Sequence, residues 1–126
     1  MTEPVAAGKV LVVEDDDTTR AVLVAVLTDE GYMVDAATDG RAAMLRLEGD
    51  GVPDVILVDM LMPTMDGLAF LRTYHARPGP HAPVVLITGR VMTVDEAIEA
   101  GAAGLLPKPF ELDALLALVA QHIERT

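Results

Sequence analysis

Glu14, Asp15, Asp59, Thr88 and Lys108 carry the side chains best suited to chemistry at a charged centre. Carboxylates gathered at one point repel each other, so without a cation at least one should hold its proton above the ordinary carboxylate range. A cation relieves that repulsion. Oxygen-only ligands favour a hard ion. Mg2+ held by one or two carboxylates, retained waters and a substrate phosphate suits these residues better than zinc, because the chain has no cysteine and no histidine close to them in sequence. A carboxylate beside such an ion is a competent nucleophile toward phosphorus, since the metal, a lysine and a hydroxyl share the charge of a transferring phosphoryl group. Lys108 and Thr88 supply the last two. Taken singly, each residue has an ordinary explanation as a loop acid, a surface lysine or a strand-forming threonine. Asp16 and Asp17 read equally well as a solvated turn or a helix cap.

Whether these residues meet depends on the elements that carry them. The chain alternates short, almost wholly apolar runs with longer amphipathic stretches, without a sequence repeat. Residues 10–13, 55–58 and 84–87 are β-branched-rich runs of the kind buried on both faces of a parallel sheet. Residues 33–37 and 104–106 are weaker and are expected to form less protected strands. Among the helix signals, Asp17 is the expected N-cap of a helix that presents Val22, Leu23, Val26 and Leu27 and stops at Gly31. A second helix, about 40–47, is faintly marked. Asp66 and Gly67 open a third. Thr93 and Glu96 have capping-box spacing, and Gly101 lies where that helix should end. Leu112, Leu115, Leu116, Val119 and Ile123 are spaced for one buried stripe of a last helix.

Such alternation implies right-handed βαβ crossovers, an α/β class with a doubly wound parallel sheet, and carboxyl ends of all five strands along one edge. Glu14 and Asp15 follow the first strand, Asp59 the third and Lys108 the fifth, while Thr88 closes the fourth. They therefore converge, and ligands of open α/β sheets bind on that edge.

Composition narrows the classes further. The 126 residues make one ordinary domain that buries roughly two thirds of its unfolded surface. Hydrophobic residues reach 52% but aromatic ones only 3%, so the core must be aliphatic. A net charge of -11 and nine scattered Lys and Arg residues argue against a nucleic-acid surface. Acidic surfaces also repel anionic membranes, the longest apolar run, 114–120, is too short to span one, and residues 1–9 lack a signal-peptide stretch. Absence of cysteine removes thiolate zinc sites and thiol catalysis and suits a reducing compartment, so a cytoplasmic location is expected.

LVVEDD at 11–16, DMLMPTMDG at 59–67, LITG at 86–89 and KPF at 108–110, in this order and spacing, resemble the receiver domain of bacterial two-component response regulators. The resemblance covers essentially the whole chain, with a single domain expected over 1–126 and a core of about 8–125. It implies a flavodoxin-like, three-layer α/β/α fold with strand order 2-1-3-4-5, an order that general descriptions of this fold class already give. By the same resemblance Asp59 is the phosphoacceptor, and Glu14 and Asp15 are the acidic pair. The backbone carbonyl of Leu61 becomes the third protein contact to Mg2+, for which Mn2+ could substitute. Asp15 would bind the ion directly and Glu14 through water. Thr88 resembles the switch hydroxyl and Lys108 the cation that pairs with the phosphoryl group, and the Lys108–Pro109 peptide is commonly cis in the family. The implied partners are a sensor histidine kinase or histidine phosphotransfer domain, and a downstream protein met through the fourth helix, fifth strand and fifth helix.

Two features depart from that pattern. Leu105 stands where the family usually has an aromatic switch residue, and Pro107 falls inside the fifth strand, which only an edge strand tolerates. Leu61 and Arg90, each two residues beyond a site residue, are expected at the rim, tuning the lifetime of the phosphorylated state. His75, His81 and His122 read as surface residues, and Met60, Met62 and Met65 as flexible packing. A haloacid-dehalogenase-type phosphatase would also use an aspartyl nucleophile, but it needs a second aspartate where Leu61 stands, and a cap domain. A third reading makes the chain a fragment of a longer transcriptional regulator, or a docking module that works without phosphorylation, but an end just where the last helix should finish favours a natural single domain. Nucleotide binding lacks both a lysine loop of the Walker type and a glycine fingerprint.

Overall fold

The computed structural model describes residues 8–62, 65–89 and 91–123. Its elements alternate as expected: β1 (Lys9–Val13), α1 (Asp17–Asp29), β2 (Met33–Ala37), α2 (Gly40–Asp50), β3 (Val55–Asp59), α3 (Gly67–Ala76), β4 (Val84–Thr88), α4 (Val94–Glu99), β5 (Gly104–Pro107) and α5 (Leu112–Ile123). The strands form one parallel sheet in the order β2-β1-β3-β4-β5. β3 and β4 are buried along their whole length, which is why their sequences read as unbroken apolar runs. The weaker β2 and β5 are the edges, and Pro107 sits exposed on the outer one.

Two apolar layers sandwich the sheet. Leu23 and Leu27 of α1 with Leu115 and Val119 of α5 cover Val10, Val12, Leu57 and Ile87 on one face. On the other, Ala43 and Met44 of α2, Phe70, Leu71 and Tyr74 of α3, and Ala97 of α4 cover Leu11, Val13, Ile56, Val58 and Leu86. Burying each such Leu, Ile, Val or Phe contributes roughly 1.5–3 kcal/mol, so the sheet centre is the rigid part on which the edges are mounted.

Several boundaries differ from the sequence expectation. Asp16, not Asp17, is the N-cap of α1: its carboxylate accepts the N–H of Thr19 at 2.8 Å, and Asp17 is the first helical residue. Only Leu23 and Leu27 of α1 are buried, while Val22 is 47% exposed, because the helix rests on the sheet by a stripe too narrow to include it. Leu112 likewise stands out at 44% exposure. The faint second helix runs on to Asp50. The capping box of Thr93 and Glu96 is present, and Gly31 and Gly101 follow their helices at φ of 100° and 105°, the left-handed conformation that favours glycine there.

Candidate functional site

The strand ladder delivers the acidic residues to one edge. Glu14 extends β1 by donating its N–H to the carbonyl of Ala37 at 3.1 Å, and its side chain is buried. Asp59 ends β3 opposite Ile87, with only 5% of its surface exposed. Asp15 is exposed beside them. One carboxylate oxygen from each of Glu14, Asp15 and Asp59 lies within 4.8 Å of the others. Lys108 reaches in from beyond β5, its Nζ 3.4 Å from Asp59 Oδ1 and 4.0 Å from Glu14 Oε1. The Lys108–Pro109 peptide is cis, and the Lys108 N–H donates to the carbonyl of Thr88 at 2.6 Å. Thr88 itself is buried at the end of β4.

The electrostatics match a site built for a cation. Burial, aided by the neighbouring Asp59 carboxylate, pushes the Glu14 carboxyl up to about 7 against the pull of the Asp16 amide and Lys108. Glu14 Oε2 accepts the Asp16 N–H at 3.1 Å, yet Oε1 is buried without a hydrogen-bond partner among the described residues. Lys108 Nζ stands 4.0 Å from this oxygen, beyond hydrogen-bond reach, so its charge is met only in part, and an ion bridging Glu14, Asp15 and Asp59 would complete it. The donor set is all oxygen, which fits Mg2+.

Residues 10–120 match the family model of the response regulator receiver domain. The chain belongs to that family. Among curated relatives, the receiver region resembles Response regulator MprA of Mycolicibacterium vanbaalenii, 37% identical over 120 residues, which are 94% of this chain and 51% of the relative. It also resembles Regulatory protein AtoC of Escherichia coli K12, 36% identical over 121 residues, covering 94% of this chain and 26% of that protein. The chain thus spans about half the length of the first relative and about a quarter of the second. The signal receiver domain of a histidine kinase from Syntrophus aciditrophicus superposes with a TM-score of 0.84 at 33% identity, over 94% of both chains. A receiver domain of a sensor histidine kinase from Pseudomonas aeruginosa, solved with magnesium coordinated in its active-site cleft, gives 0.82 at 29% identity over 94% of this chain and 98% of that one. The acidic cluster of the present receiver domain is compatible with the same ion.

Within this receiver domain the other expected positions divide. Leu61 comes to the site through its N–H, 3.4 Å from Asp59 Oδ1, with its side chain 57% exposed at the rim. Leu105 is half-buried in β5, paired with Leu86 and packed against the layer that includes Ala97 of α4. Arg90 lies outside the described residues. Met60 and Met62 are buried and Met65 packs on the same layer, as flexible filling should. His75 and His81 are exposed at the opposite edge of the sheet, whereas His122 is half-buried rather than superficial.

The sequence reading missed Arg20 altogether and took Gly67 only as the opening of a helix. Arg20 donates to the carbonyls of Glu14 at 3.0 Å and Asp15 at 3.4 Å and pairs with Asp17 at 2.6 Å, clamping the loop that presents the acids. Its signal was a basic residue one turn after an acidic loop, opposite in sign to what a helix N-terminus favours. At Gly67 a side-chain carbon would lie 3.0 Å from Met60 Cα and 3.2 Å from the Asp59 carbonyl oxygen, so α3 starts in contact with the end of β3 only because the residue has none.

Proposed function

We propose that the chain is a phosphorylation switch of cytoplasmic two-component signalling, in which Asp59 accepts a phosphoryl group from a phosphohistidine of a sensor kinase or a histidine phosphotransfer domain. The observation that carries this reading is the meeting of Glu14, Asp15 and Asp59 within 4.8 Å, with Lys108 3.4 Å from the acceptor oxygen. A carboxylate oxygen of Asp59 attacks phosphorus in line with the donor imidazole, the phosphorus–nitrogen bond breaks, and an acyl phosphate forms. Asp15, Asp59 and the backbone carbonyl of Leu61, with Glu14 through water, would hold Mg2+, or Mn2+ in its place, and the ion would supply positive charge to the transferring oxygens. Lys108 pairs with the new phosphoryl group and the Thr88 hydroxyl turns toward it.

Those contacts exist only in the phosphorylated state, so they shift a two-state equilibrium; a difference of ~1.4 kcal/mol moves it about tenfold. The partner face is α4, β5 and α5, with Leu105 in place of a ring at the coupling position. Leu61 shields the acyl phosphate from water and Arg90 adds positive charge, lengthening its lifetime, and Leu61→Asn is expected to speed dephosphorylation.

Incubation with acetyl phosphate and Mg2+ tests the reading by intact-mass measurement. One phosphoryl group should be gained, removed by hydroxylamine, and absent in Asp59→Asn or after chelation. Labelling that survives hydroxylamine or persists in Asp59→Asn would refute it, as would turnover of small phosphate esters.

A further inference from the structure

At the amino edge of the sheet, away from the acidic cluster, stands a group of rings that phosphoryl transfer does not use. Tyr74, buried near the end of α3, accepts the N–H of Ala82 on its hydroxyl at 2.7 Å. This bond ties the helix end to the loop leading into β4, and Pro78, Pro80 and Pro83 stiffen that loop by fixing their φ angles. Both His75 and His81 are held against the Tyr74 ring, with centroids 5.7 and 4.8 Å away. The two imidazoles meet each other at 5.3 Å and 84°, both exposed to solvent.

The free nitrogens are defined by their surroundings. His81 Nε2 is 2.8 Å from the carbonyl oxygen of Arg77. A carbonyl only accepts, so Nε2 carries the proton and Nδ1 of the neutral ring keeps its lone pair. One ring N–H given to a backbone carbonyl while the other nitrogen stays open is the usual setting of a metal-bound imidazole. His75 Nδ1 lies over Gly101, where a side-chain carbon would come within 2.9 Å, which leaves Nε2 on the far side of the ring. Two imidazoles bound to one ion at about 2.0–2.1 Å with a tetrahedral angle place their ring centroids about 5 Å apart, close to the separation found here.

We propose that His75 and His81 form a chelating site for a late first-row divalent ion, zinc above all, with water completing the coordination. Its donors are nitrogen alone, whereas Glu14, Asp15 and Asp59 offer only oxygen, so one small domain sorts two cations by ligand type. An ion at the imidazoles would fasten α3 to the loop before β4 and stabilise the fold by mass action.

Zinc titrated into the protein in excess Mg2+, followed by calorimetry and by the imidazole resonances, tests the site. One equivalent should perturb His75 and His81 together and raise Tm. His75→Ala and His81→Ala, both replacing exposed rings, should each weaken zinc binding by at least about tenfold, because a chelate becomes a single ligand. Asp59→Asn should leave it unchanged. Zinc affinity unaltered in either histidine variant, perturbation of only one imidazole, or loss of the zinc effect in Asp59→Asn would overturn the proposal.

Discussion

At the carboxyl edge of the sheet the polar groups arrive from separate strands and keep an unmet need for charge, whereas at the amino edge neighbouring segments satisfy each other. Glu14 Oε1 is buried without a hydrogen-bond partner among the described residues, with Asp15 and Asp59 close by. At the other end Lys9 donates its N–H to the Asp54 carboxylate at 2.8 Å while Asp54 returns its own N–H to the Lys9 carbonyl at 2.9 Å, and Tyr74 holds Ala82. The unmet charge of Glu14 thus stands at one edge, where a cation would relieve it, while the Lys9–Asp54 and Tyr74–Ala82 bonds secure the other.

The sharpest way to break this contrast is Asp59→Asn. It should abolish phosphoryl incorporation and yet raise the stability of the ion-free protein, because the Glu14 carboxyl loses a charged neighbour; thermal unfolding beside the mass assay reads both. Next is pH. The folded Glu14 carboxyl titrates at about 7 against 4.5 in the unfolded chain, so between these values the folded state binds the extra proton. Its contribution is therefore full below pH 4.5 and lost as pH rises through 7, by at most about 3 kcal/mol. Urea unfolding without divalent ions should show this fall, and saturating Mg2+ should flatten it. At the amino edge, Tyr74→Phe leaves the buried Ala82 N–H unpaired, and a loss of about 1–3 kcal/mol with phosphorylation intact is expected from the same unfolding experiment. The smallest effect concerns the helix that joins the two ends: Asp66 caps α3 through the Ala69 N–H at 2.8 Å, and Asp66→Ala should cost about 1 kcal/mol in denaturant midpoint.

The two edges also differ in how far they were legible from sequence. β-branched runs and crossover handedness were enough to anticipate the parallel sheet and the convergence of Glu14, Asp15, Asp59, Thr88 and Lys108, because strand order and direction leave little freedom at a strand's end. Finer choices depended on local competition. Asp16 and Asp17 each could have capped α1, and only the turn geometry selects Asp16. Val22 read as core because helical spacing alone cannot give the width of the buried stripe. The pairing of His75 with His81 was invisible, since it requires the Tyr74 hydroxyl to draw a proline-rich loop back over the end of its own helix. Arg20 went unnoticed because the contacts that clamp the loop are to the carbonyls of Glu14 and Asp15, which no side-chain pattern records.

Gly67 couples parts of the molecule that would otherwise be adjusted separately. Its N–H donates to the Met60 carbonyl at 3.0 Å, and its bare α-carbon rests on the backbone of Asp59 and Met60. A helix that must touch the strand bearing Asp59 cannot tilt or slide without carrying that strand's last residue along. The seating of α3 and the aim of the Asp59 carboxylate are therefore one mechanical coordinate, fixed by the absence of a single methyl group.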